Sequence, residues 1–203
     1  MLFRSTLRDA GLTLEELAHL GSRYLCVQAN TDYVRDNLEL LAAELDQTAS
    51  CLEAGLVLLP FGHCRGWTDE DGLRLLGDHL RTPSLLLSVS RGLRGLTAVL
   101  AGASLFAGTS LHGVIAASAY GVPAVPLRTA DPKVGNYLAT WPIAGASCTP
   151  LAALRSRAME ALRETGQQAA VQQEIETSVW ENFKEFLASV QLKSPLSWDR
   201  MTS

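Results

Sequence analysis

Residues 103–134, ASLFAGTSLHGVIAASAYGVPAVPLRTADPKV, decide the fold class of this chain. Ser104 to Ala107 is a short run ending in small residues, the form of a strand buried in a parallel sheet. Gly108, Thr109 and Ser110 make the turn that follows, and either hydroxyl can cap a helix carrying His112, Ile115, Ala116 and Ala119. Gly121 and Pro123 stop that helix before a second strand, Ala124 to Leu127. A helix that starts at the carboxyl end of a parallel strand offers unpaired N–H groups and a partial positive charge to the crevice there. An anionic ligand suits that position, and His112 stands on the first turn beside it.

The same alternation extends in both directions. Candidate strands are Tyr24 to Gln28, Leu56 to Leu59 and Leu85 to Val89, interleaved with helix-length segments. A helix from about Asp32 to Cys51 has Leu38, Leu41, Ala42, Leu45 and Ala49 at helical spacing. A second follows Thr68, whose spacing to Asp71 resembles a capping box, and runs through Leu73, Leu76 and Leu80. Leu93 to Ala101 and Pro132 to Thr140 complete the set. These segments predict an α/β domain with a single Rossmann-like, doubly wound parallel sheet over residues 1–149. Residues 150–193 read as a helical extension of two helices divided near Gly166, the second with a face of Ile175, Val179, Phe183 and Leu187, and residues 194–203 as a tail.

Composition narrows the class. The chain has 203 residues, 47% hydrophobic and 19% charged, which suits a globular domain with a sizeable core. Its net charge of -4 offers no general attraction to nucleic acid or to acidic membranes. Cys26, Cys51, Cys64 and Cys148 form no C-x-x-C pair and read as reduced, mostly packed thiols. No run approaches the ~20 apolar residues of a membrane span, and the first residues lack a signal-peptide core. The expected location is cytoplasmic, with at most peripheral membrane contact. Phosphate-loop, dinucleotide and serine-hydrolase motifs are missing from the sequence.

Gly-Thr-Ser-Leu-His-Gly (108–113), Gly121-Val122-Pro123 and Asp131-Pro132-Lys133-Val134, in this order and spacing, resemble the carboxyl-terminal half of polysaccharide pyruvyl transferases. The resemblance extends over roughly residues 10 to 190 and departs from the family at Ser110, where many members carry arginine. It implies one half of a two-domain GT-B-like fold. It also implies transfer of pyruvate from phosphoenolpyruvate to a saccharide as a ketal, without a cofactor. His112 matches the family's proposed catalytic histidine, and imidazole can hold or release a proton near neutral pH. Without the motif, the same residue would read as a helix-start histidine bonded to a nearby carbonyl.

Around His112, residues Thr109, Ser110 and Gly113 are expected to line the donor site. A guanidinium from Arg91 or Arg94 can grip a carboxylate or phosphate, and either can equally be a solvated helix-start arginine. Lys133 can neutralise donor charge, with Asp131 capping the helix that follows. His63, with Arg65 beside it, follows the second strand and can line the cleft, while Gln28 and Asn30 can supply polar contacts or simply form a turn. His63 and Cys64 alone make a poor metal site, so no metal is expected. Two other readings are a GT-B glycosyltransferase using a nucleotide sugar and a noncatalytic half-domain. A second domain-like chain or a homodimer would then rebuild the cleft.

Overall fold

In the computed structural model, residues 17, 19–64, 67–141 and 146–164, with positions 177, 181 and 184, are described. Five parallel strands form the central sheet: β1 (Tyr24–Gln28), β2 (Gly55–Leu58), β5 (Ser84–Leu86), β6 (Leu105–Gly108) and β7 (Ala124–Pro126). Their order is β5-β2-β1-β6-β7. Cys26 of β1 stands between Val57 of β2 and Phe106 of β6. β1, β2, β6 and β7 are buried along their whole length, which is why they read as unbroken apolar runs rather than alternating ones.

Strand parity divides the core in two. Leu25, Val27, Leu56, Leu58, Leu105 and Ala107 face α1 (Thr31–Leu52), α2 (Asp69–His79) and α6 (Leu154–Arg163). Tyr24, Cys26, Val57 and Phe106 face the opposite layer, α3 (Gly92–Ala101), α4 (Leu111–Ala119) and α5 (Lys133–Thr140). Helices on both faces make the sheet doubly wound, as expected. α6 adds Leu154, Ala158 and Ala161 to the first layer, so the described part of the 150–193 segment is continuous with the sheet's core. The second helix expected in that segment, apart from Thr177, Glu181 and Lys184, and the tail lie outside the described residues. No helix among the described residues is long and apolar enough to cross a membrane.

One local expectation is corrected. Strand β5 stops at Leu86 instead of Val89, because the Ser88 hydroxyl accepts the N–H of Ser90 (3.2 Å) and turns Val89–Arg91 into a 3-10 helix. Between β2 and α2, outside the candidate strands of the sequence, stands a short antiparallel pair, β3 (His63–Cys64) with β4 (Trp67–Thr68), leading directly into α2. The thiols also differ from one another: Cys26 is buried, Cys148 half-buried and Cys51 exposed. Burial pushes the Cys26 thiol well above its ordinary range.

Candidate functional site

The strand order reverses between β1 and β6, since β1 is followed outward on one side by β2 and on the other by β6. In open parallel sheets ligands bind outside the carboxyl ends of the strands at such a point. The loops that flank it here carry Asn30 and Thr109–Ser110. Asn30 caps α1 by accepting the N–H of Tyr33 (2.8 Å), and its own N–H donates to Thr109 Oγ1 (3.3 Å). Thr109 donates from its N–H to Gln28 O (3.1 Å) and Oε1 (3.2 Å), and from its hydroxyl to the same Oε1 (3.3 Å). Gln28 and Thr109 are both buried. Their polar atoms join the two loops to each other.

Behind them stands Asp69, a buried carboxylate at the first residue of α2. It accepts from Gln28 Nε2 (2.9 Å), from the N–H of Gly62 (2.7 Å) and from the N–H of Phe61. Burial raises its pKa above the ordinary carboxylate value, against the opposing pull of those three donors, Gln28 foremost. In sequence, Thr68 to Asp71 resembles a capping box at a helix start. Only the approach of the loop after β2 shows that its second residue is a buried acceptor.

One step further along β6, α4 begins. Ser110 is its N-cap, accepting the N–H of Gly113 (3.3 Å). The first-turn N–H groups of Leu111 and His112 have no intrahelical acceptor and sit at the carboxyl edge of the sheet. His112 is exposed at that edge. Gly113 is buried on the ring of Phe106, where any Cβ would collide with the ring. Its part is therefore to bring α4 close to β6, which sets where His112 projects. Gly113→Ala is expected to cost about 2 kcal/mol by overpacking, seen as a lower denaturant midpoint at unchanged m-value. An unchanged midpoint would show that α4 can lift off Phe106 freely. At the other end of the helix, Gly121 takes a left-handed φ of 67°.

On the opposite side of Thr109 the edge opens into a cavity of about 610 Å³, between the start of α1 and the loop joining β7 to α5. Thr109 and Lys133 line it, as do Asn30 and Asp131. Asp131 Oδ1 accepts the N–H of Lys133 (2.9 Å), and its carboxylate pairs with the Lys133 ammonium (3.0 Å). Both interactions, the backbone one first, hold the Asp131 carboxyl below its ordinary pKa. Tyr33, Asp36 and Arg128 also line the cavity and went unremarked in the sequence, where they read as an ordinary helix face and strand end.

The remaining sequence-derived residues lie elsewhere. His112, Arg91 and Arg94 do not line this cavity. Arg91 ends the 3-10 turn after β5, the outermost strand on its side, and β2 and β1 stand between that strand and β6. At the usual strand spacing the two strands stand roughly 14 Å apart, but α3, which Arg91 opens, crosses back over the sheet to pack against α4. Arg91 is half-buried and Arg94 exposed on α3. The side chains of His63 and Arg65 lie outside the described residues.

The five-stranded parallel sheet with helices on both faces is one half of a GT-B fold. Solved structures agree at the level of fold. The spinosyn rhamnosyltransferase SpnG is similar with a TM-score of 0.51 at 16% identity, over 78% of this chain and 42% of that one. A candidate UDP-N-acetylglucosamine 2-epimerase of Listeria monocytogenes is similar with a TM-score of 0.50 at 17% identity, over 85% of this chain and 48% of that one. The chain thus spans less than half the length of either protein. No curated protein matches it in sequence. The polysaccharide pyruvyl transferase family model matches residues 9–131, well over half of the chain, and the chain belongs to that family. The match ends at Asp131, short of Lys133 and of the helices expected to share the resemblance.

Proposed function

We propose that this chain carries the donor half of a pyruvyl transfer site, moving pyruvate from phosphoenolpyruvate onto two hydroxyls of a saccharide. The observation that carries this reading is the position of His112, inside the family match and exposed on the first turn of α4 at the carboxyl edge of the sheet. Two oxygen–carbon bonds form at C2 of the donor, the bond from C2 to the phosphate oxygen breaks, and the methylene carbon gains a proton to become methyl. Of the two hydroxyl protons released, one balances that methyl proton and the other leaves with phosphate. His112 is the group suited to deliver or collect a proton, and the first-turn N–H groups of α4 are suited to the donor's phosphate. Arg91 and Arg94 are held in the proposal as carboxylate contacts across the edge, where a guanidinium can bind bidentately.

Thermal unfolding of the whole chain tests the donor assignment. Phosphoenolpyruvate at a hundred times its Kd should stabilise by about 2.7 kcal/mol, and His112→Ala should reduce that gain. Stabilisation by nucleotide sugars in place of phosphoenolpyruvate would replace this reading with glycosyl transfer. No response to either donor would leave a binding half that needs a partner chain.

A further inference from the structure

We infer that the cavity between α1 and the β7–α5 loop is a saccharide subsite, separate from the anion position at α4. The inference rests on the pyruvyl-transfer reading only in taking the bound saccharide to be the acceptor. Three aspartates, Asp32, Asp36 and Asp131, line the cavity against two cations, Arg128 and Lys133. Lys133 is paired with Asp131 at 3.0 Å, and Arg128 Nη2 donates to Cys148 O at 3.4 Å. An anion would therefore meet three carboxylates against two cations, one of them, Lys133, already paired. Nor is the start of α1 open to it, since Asn30 holds the Tyr33 N–H and Asp32 already occupies the first turn.

What these groups suit is a neutral ligand whose every polar atom both donates and accepts. Hydroxyls can donate to Asp36 and accept from Arg128 or Asn30 in one small volume. Tyr33, Pro150 and Leu151 add apolar surface for the carbon face of a sugar ring. The volume, about 610 Å³, falls within the ~300–1,000 Å³ of small-molecule sites. Thr109 borders the cavity, and the very next residue, Ser110, caps the helix that bears His112. A saccharide held here lies next to the turn proposed for the donor.

The test is amide NMR of the isotope-labelled full chain titrated with methyl glucoside, methyl galactoside, methyl mannoside and methyl N-acetylglucosaminide, and separately with phosphoenolpyruvate and inorganic phosphate. At least one glycoside should shift signals of residues 30–37 and 128–133, and Asp36→Asn and Arg128→Ala should each weaken it by about tenfold with the spectrum otherwise folded. Neither anion should move those signals. The inference is overturned if no glycoside shifts them, if both variants bind unchanged, or if the anions shift them instead. A positive glycoside result without any donor response at 111–113 would retain this subsite and remove the donor reading. The reverse pattern would retain the donor reading and remove the subsite.

Discussion

His112→Ala is expected to lower ketal formation from phosphoenolpyruvate by about 10²–10⁴-fold while leaving the unfolding midpoint unchanged. The size follows from removing a general acid or base from a step that must protonate an alkene carbon. The absence of a folding effect follows from position: His112 is exposed, the helix start is secured by Ser110, and the packing of α4 rests on Gly113, Val114 and Ala117. Phosphate release and ketal mass measured together, with whichever methyl glycoside the chain binds, give the answer. Wild-type turnover in the variant would end the proposed role. A parallel fall in turnover and midpoint would instead mark His112 as a structural residue.

Asp69→Ala should cost about 3 kcal/mol of stability, because Gln28 Nε2 and the N–H groups of Gly62 and Phe61 would lose their acceptor inside the protein. Asp69→Asn keeps one carbonyl oxygen and should cost less. The two variants also separate charge from hydrogen bonding through pH. Burial makes the folded carboxyl hold its proton more tightly than the unfolded one, so the folded state carries more protons in the window between the two pKa values. Stability from this group is present below about pH 4, where the unfolded carboxyl titrates, and is lost as pH rises through the folded value. Denaturant midpoints across that window should fall with pH in the wild type and lack this component in Asp69→Asn. Equal slopes would show that Asp69 is no less at ease ionised in the fold than in the unfolded chain.

Much of the architecture was legible because its causes are local. Tyr24 to Val27 and the run starting at Ala124 are apolar without alternation, as suits a strand covered on both faces, and both are strands here. Ser110 and Gly121 bound α4 as their side-chain chemistry and backbone freedom require. The end of the strand starting at Ser84 was not legible because Leu85, Leu86, Leu87 and Val89 are apolar with only Ser88 between them, and that one hydroxyl folds the backbone into a 3-10 turn. The hairpin at His63–Thr68 had no strand pattern to reveal it, being two residues on each side.

The candidate site divides in the same way. That His112 begins a helix at a strand's carboxyl end follows from capping, periodicity and turn residues within a few positions of it. Where Arg91 stands relative to it depends instead on strand order and on how α3 crosses the sheet to pack against α4. Gln28 and Thr109 are far apart in sequence and looked free to meet a ligand, yet they bind each other and, through Gln28, Asp69. Amino-acid order alone determined the layers, the helix starts and the family, since these rest on hydrophobic pattern and short-range hydrogen bonding. Tertiary structure alone decided which polar groups face the crevice and which are consumed inside it. A polar side chain leaves water only when a partner from a distant segment arrives to replace it.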